Sequence, residues 1–227
     1  MDVISIVSQK GGTGKSTTAH AIGAGLFLRG KRVLHIDLDS QGNLSYSMGA
    51  DTSGVTAMEV LQKQNTVHEA IQSIAEQGDI MPSSPALAAA DTLLTHTGKE
   101  YRLKEALQPL KGKYDYIIVD TSPSLGVLTV NALVASTGAI IPAQADVFSL
   151  QGINRLYDII DAVKTYCNPA LHVMGIVLSR YSSRAILSRE LAEMIEATAE
   201  RFQTRLFNTR IRECVALREA QAMRQSI

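Results

Sequence analysis

Eleven residues, Ser8-Gln-Lys-Gly-Gly-Thr-Gly-Lys-Ser-Thr-Thr18, concentrate the groups that could do chemistry in this chain. Gly11, Gly12 and Gly14 let the backbone curl so that successive N–H groups point into one concavity, which suits an anion. A loop of this form cradles phosphates, with Lys15 reaching the β and γ groups and the Ser16 hydroxyl holding Mg²⁺. Two acidic segments accompany it. Asp37-Leu-Asp39-Ser-Gln41-Gly-Asn43 follows one short apolar run, and Asp120 closes another, Tyr114-Asp-Tyr-Ile-Ile-Val-Asp120. Carboxylates at the tips of parallel strands lie where open α/β sheets bind ligands. Asp120 would hold the hydration shell of the Mg²⁺ from the side opposite Ser16.

Rigid elements must position these groups. Residues 3–7 form an apolar run that stops at Ser8 and Gln9, and residues 19–28 have helical character ended by Gly30. Strand, glycine loop and helix is the context in which such a loop binds phosphate, the helix adding its positive end and free N–H groups. Apolar runs at 31–37, 114–120, 138–142 and 173–178 read as buried strands, with Ser179-Arg180 at the tip of the last. Residues 78–82 read as a small strand and 206–209 as a last edge strand. Residues 85–94, 99–110, 144–166, 182–202 and 215–224 read as helices. Within 182–202 the residues Leu187, Leu191, Met194, Ile195, Thr198 and Phe202 share an apolar face expected to pack on the core. Strands alternating with helices predict an α/β fold: a doubly wound, mostly parallel sheet with helices on both faces. Residues 1–227 read as a single domain.

Lys10-Gly-Gly-Thr-Gly-Lys-Ser16 has lysine just before its glycine pair and lacks glycine at Gln9, the deviant Walker A form. With the segments at 37–43 and 120–126, this resembles the ParA-type partition ATPases of the ParA/MinD group. Ser40 and Ser122 stand where that family has proline. The resemblance implies a P-loop NTPase fold and an ATP hydrolase that uses ATP and Mg²⁺. It implies nucleotide contacts from Lys10, Gly11, Gly12, Thr13, Gly14, Lys15, Ser16, Thr17 and Asp120, and adenine contacts near Ser179, Arg180, Ile211 and Arg212. Ser16, Asp39 and Asp120 make up the implied metal set, and Asp39 orients the attacking water. Lys15 serves its own subunit. By the resemblance, Lys10 would reach the partner's phosphates in an ATP-dependent homodimer, offsetting charge gathered in a buried interface. By the same resemblance, the 121–126 loop would sense the γ-phosphate.

Such dimers bind double-stranded DNA without sequence preference, and a ParB-type centromere-binding protein stimulates slow hydrolysis. By position the resemblance implies a DNA contact at Arg184. A second falls on Ala216, which leaves Arg218 as its substitute. It also implies a further helix past Ile227, so the C-terminus is short for the family. A membrane-cycling positioning ATPase of the MinD type is the alternative. Gln41 and Pro-Ser-Leu-Gly after the Asp120 strand favour the partition type. A scaffold that binds ATP and hardly turns it over is disfavoured by Asp39.

Composition agrees with a globular protein. Of 227 residues 45% are hydrophobic and 19% charged, and net charge is zero, which argues against wholesale electrostatic binding. Acids outnumber bases over 51–109, whereas from Arg180 onward the cations are all arginine. No apolar run approaches the ~18 residues of a membrane span, and residues 1–2 leave no room for a signal peptide. The expected location is cytoplasmic and nucleoid-associated. Cys167 and Cys214 read as free thiols, and as too few and too far apart for the cluster of the nitrogenase iron protein, which shares the loop. His68 and His96 read as surface or packing residues.

Overall fold

The apolar runs become strands covered on both faces. The computed structural model describes residues 1–181 and 186–224. Its first half runs β1 (Asp2–Ile6), α1 (Lys15–Phe27), β2 (Val33–Leu38), α2 (Asn43–Met48), α3 (Ala57–Leu61), α4 (Val67–Ala70), β3 (Gln72–Ile74) and β4 (Gly78–Met81). Next come α5 (Ala90–Leu93), α6 (Arg102–Ala106), β5 (Tyr116–Thr121), α7 (Val127–Ala135) and β6 (Gly138–Ala143). The chain continues with α8 (Val147–Tyr166), β7 (His172–Leu178), α9 (Ile186–Arg201) and α10 (Val215–Ala222).

The strands join in the order β3-β4-β2-β5-β1-β6-β7, all parallel except the β3–β4 pair. Period-two alternation along β5 sends Ile117 and Val119 to one face and Ile118 to the other. Helices α3, α5, α6 and α7 cover the first face at the β2 side, and α7, α8 and α9 cover it beyond β1. Helices α1 and α2 cover the opposite face. The two-faced α/β expectation is met. Among the described residues no helix is long and apolar enough to cross a membrane.

Several local expectations change. The 85–94 and 99–110 helices break into short α turns flanked by 3₁₀ segments at Pro85–Ala89, Lys99–Tyr101 and Gln108–Leu110. Pro109 has no N–H for a helical bond, which limits α6. Leu87, Leu94, Leu103 and Leu107 of these segments are nonetheless buried, while Leu93 is exposed. The edge strand expected at 206–209 is reduced to two bridges, at Leu206 and Ile211. Phe207 and Ile211 donate their N–H groups to Ile176 and Leu178, so four residues on one side span two on the other and a ladder cannot propagate. On α9 the buried stripe is Leu191, Ala192, Ile195 and Ala199, whereas Leu187 and Met194 are exposed. The helix is therefore rotated from the face its sequence suggests. Phe202 just beyond it stacks on Tyr157, ring centroids 3.7 Å apart. His68 and His96 are exposed, and Cys167 and Cys214 are free.

Helix α1 sits close on β2 because Gly23 has no side chain. A Cβ there would lie 1.8 Å from His35 Nε2. His35 and His20 are buried edge to face, with centroids 6.3 Å apart. His20 Nε2 pairs with Gln77 Oε1 at 2.7 Å, and His35 Nδ1 faces the Asp79 carbonyl at 3.3 Å. Burial, then the charge on His20, pushes the His35 imidazole down to about 4, so it is neutral at physiological pH.

Gly23→Ala gains helix propensity of about 1 kcal/mol but forces α1 off β2, an overpacking cost of about 1–3 kcal/mol or more. Net destabilisation is expected in urea unfolding. A second substitution, His35→Ala, should recover part of it, because the two residues contest the same space. Additive losses would show that the contact does not set the spacing of helix and sheet.

Candidate functional site

The sheet places its chemistry at one edge. β5 lies between β1 and β2, in register, with Asp120 opposite Ile6 on one side and Asp37 on the other. The three strand tips therefore end side by side at the mouth of the glycine loop. Thr121 Oγ1 donates to the Ile6 carbonyl at 2.9 Å and closes the β1–β5 seam just below that loop. Gly12 and Gly14 both take left-handed backbone conformations, φ 73° and 81°, which side chains disfavour. Gly14 is also the residue before α1, so the helix begins with no side-chain cap and leaves N–H groups directed at the loop cavity. The tip of β7 supports the turn: a Cβ on Gly14 would touch Ser179 at 3.7 Å.

A cleft of about 510 Å³ opens above this edge. Gly11, Gly12, Gly14, Lys15, Ser16 and Thr17 line its floor, with Asp39 at one side. Ser179, Arg180, Ile211 and Arg212 line the far wall, so these sequence-predicted residues are brought together. Pro123, from the 121–126 loop, also reaches it. Thr13 is buried behind the loop with its hydroxyl 3.4 Å from the Lys10 carbonyl.

The acids differ in how they are held. Asp37 is buried and saturated: it accepts from Asp39 N–H at 3.0 Å and from Ser45 N–H and Oγ at 2.8 and 2.7 Å. Burial still lifts it to about 6 against those hydrogen bonds. It is a structural acid that fixes the turn carrying Asp39. Asp39 accepts from Gln41 N–H at 3.1 Å, and its carbonyl accepts from Gly42 N–H and the Ser83 hydroxyl. Its carboxylate is thus aimed into the cleft.

Asp120 is the exception. It has no exposed surface, and neither carboxylate oxygen has a hydrogen-bond partner. Burial, and then the charge of Asp37, pushes its carboxyl well above the usual range, opposed by the nearby Ser16 hydroxyl and Lys15 ammonium. Burial lowers Lys15, opposed by Asp120 and Asp39. Lys15 Nζ meanwhile rests on the Lys10 carbonyl at 3.2 Å. A buried acid facing a serine hydroxyl and an ammonium beside free helix N–H groups fits a site that would hold a hydrated divalent cation next to phosphate.

Lys10 is elsewhere. It does not line the cleft; its ammonium pairs with Asp146 and with Gln144 Oε1 of the same chain. Sequence reasoning assigned no role to either partner, 136 and 134 positions away. It also missed the cover that α10 provides. Leu217, Gln221 and Ala222 line the cleft, Gln221 Nε2 donates to Thr17 Oγ1 at 3.0 Å, and Arg224 stacks over Tyr46 at 4.7 Å. Nothing in the local pattern marks these long-range pairs. Of the two expected DNA contacts, Arg184 lies outside the described residues, and Arg218 falls on α10 with its side chain likewise undescribed.

Central parallel strand, glycine loop and helix, with acids on the neighbouring strand tips, define a P-loop NTPase fold. The chain belongs to the ParA/Soj family of P-loop ATPases, as its relatives show. Residues 1–173 match the AAA domain model. Soj, the sporulation initiation inhibitor protein of Bacillus subtilis, is 37% identical over 222 residues, 96% of this chain and 87% of that protein. The chromosome partitioning protein ParA of Myxococcus xanthus is 36% identical over 222 residues, 93% of this chain and 77% of its own. Among solved structures, cobyrinic acid a,c-diamide synthase from Mycobacterium smegmatis with bound ADP and magnesium superposes with a TM-score of 0.88. It is 35% identical, with 98% of this chain and 94% of that chain covered.

An unpartnered buried carboxylate is costly, about 1–3 kcal/mol for a neutral group and more for a charged one. Asp120→Asn is therefore expected to raise the melting temperature of the nucleotide-free protein while abolishing magnesium-dependent nucleotide binding. Because folding raises the Asp120 pKa, its penalty exists where the acid is ionised. The gain should grow as pH rises and vanish on acidification. Calorimetry across pH checks this, and equal or lower stability at alkaline pH would contradict it.

Proposed function

We propose that this chain is an ATP hydrolase, working as a single P-loop domain with Mg²⁺, that pairs with a second copy when ATP is bound. In that state it binds double-stranded DNA without sequence preference and acts in plasmid or chromosome partition with a ParB-type centromere-binding partner that stimulates slow hydrolysis. The observation that carries the reading is Asp120, buried and unpartnered beside Ser16 and Lys15 at the phosphate loop. The Soj and ParA relatives support the partition role. The Mycobacterium smegmatis structures with bound ADP or ATP analogue and magnesium support the nucleotide and metal.

The chemistry follows from the residues. The loop N–H groups and Lys15 bind the phosphates, and Lys15 leaves the Lys10 carbonyl to do so. Ser16 and Asp120 would hold the magnesium, which would supply charge neutralisation to the phosphates. Asp39, fixed by its turn, orients the water and completes the metal's surroundings. Ser179, Arg180, Ile211 and Arg212 form the adenine side of the cleft. Arg184 and Arg218 are the proposed phosphate contacts to DNA. The location that follows is cytoplasmic, on the nucleoid.

Electrophoretic mobility of an unrelated duplex tests the reading. ATP, but not ADP, should shift the DNA, with steep loss as salt rises. Lys15→Ala should not shift it, and Asp39→Ala should shift it persistently because hydrolysis is blocked. Binding that ignores nucleotide, or ATP-dependent binding to anionic vesicles with none to DNA, would refute the partition reading, the latter in favour of the membrane-cycling alternative.

A further inference from the structure

Lys10 is held by a constructed site in its own subunit. Gln144 and Asp146 leave the end of β6 and open α8, directly beside the glycine loop. Asp146 uses both carboxylate oxygens: one accepts from the Lys10 ammonium, the other from Ser149 N–H at 2.8 Å as the cap of α8. That cap fixes the carboxylate, so the ion pair costs little further ordering. Gln144 works in two directions. Its Oε1 accepts from Lys10 Nζ at 2.7 Å, and its Nε2 donates to the Gly12 carbonyl at 2.9 Å. Its own N–H donates to Ser149 Oγ at 3.1 Å. Burial would raise the Asp146 carboxyl, but the hydrogen bonds from Lys10 and Ser149 outweigh it and the net shift is downward.

The same segment is tied to the phosphate position. Lys15 Nζ and Thr13 Oγ1 both address the Lys10 carbonyl, at 3.2 and 3.4 Å. Arriving phosphates compete for Lys15, so they remove its contact to the Lys10 carbonyl and loosen the segment on which Lys10 stands. Immediately past Asp146, Val147 and Phe148 are 55% and 72% exposed, an apolar pair beside the latch that a second copy approaching Lys10 would meet.

We propose that Asp146 and Gln144 are positioning residues that hold Lys10 against its own subunit, releasing it toward a second copy only once nucleotide fills the loop. The proposal rests on the dimer reading above. It makes the cis ion pair a threshold that suppresses pairing of empty subunits, because each dimer must break two latches.

The full chain serves as its own test. Asp146→Asn keeps the cap acceptor and removes the charge; Gln144→Ala is an independent second variant, and Asp146→Glu is the conservative rescue. Acylation of Lys10 by a succinimidyl ester in nucleotide-free protein, read by peptide mass spectrometry, should run about two- to fivefold faster in Asp146→Asn, the range for a partly exposed ion pair. The Glu variant should restore protection. The dimerisation constant of the nucleotide-free protein, from sedimentation, should rise by the square of that factor, up to about 25-fold, and by less with a non-hydrolysable ATP analogue, which has already released Lys10. Unchanged labelling in both the Asn and Ala variants overturns the latch. Faster labelling with an unchanged dimerisation constant overturns its role as a threshold, while leaving the dimer reading intact. A wild-type chain that never pairs with ATP removes both, and the labelling result shows separately whether the ion pair exists.

Discussion

Three carboxylates and one ammonium crowd together at the tip of the central strands. Asp37, Asp39, Asp120 and Lys15 are all buried. Charges in such surroundings must be paired, hydrogen-bonded or neutralised. Asp37 is satisfied by Ser45 and the Asp39 N–H, and Asp39 by its own turn. Asp120 is left over. The rest of the local architecture follows from tolerating that one unsatisfied acid: a loop of glycines that brings donors close, a helix start without a side-chain cap, and a lysine resting on a backbone carbonyl until something better arrives. Stability is sacrificed at the position where a cation and phosphates would return it, a trade common at functional sites.

The lysines divide the work by the strength of their attachments. Lys15 contacts a neutral carbonyl, an interaction easily exchanged for phosphate oxygens. Lys10 contacts a carboxylate whose other oxygen caps a 20-residue helix, an interaction that resists exchange. Charge-assisted bonds are roughly twice as strong as neutral ones. Two lysines five positions apart are therefore held with different strengths.

Much of this was readable from residue types because the chemistry leaves little choice. Phosphate needs backbone N–H groups without side chains in the way, hence Gly11, Gly12 and Gly14. The buried strands need unbroken apolar runs, hence residues 116–121 and 173–178, and an acid closing one of those runs is conspicuous. What escaped reading depends on partners far away in sequence. β3, Gln72–Ile74, is a three-residue polar edge strand that exists only because β4 offers it an antiparallel partner. The α9 stripe turned because Ala192 and Ala199, weak signals in sequence, allow close approach where Leu187 and Met194 do not. Asp146 reads locally as a helix cap, which it is; its second oxygen is spent on a residue that no local pattern names. Gln221 on Thr17 is the same case.

β5 lies between two strands that precede it in the chain. β1 and β2 are joined through α1, yet neither pairs with the other; each pairs with β5. During synthesis the N-terminal strand–loop–helix–strand unit therefore has a gap where its middle strand belongs, until residues 116–121 emerge. Closing that gap requires long-range contacts, the slow kind. Asp120 arrives with the same strand, so a nascent chain lacks this acid until the gap between β1 and β2 is filled, while β6 and β7 are still to be added.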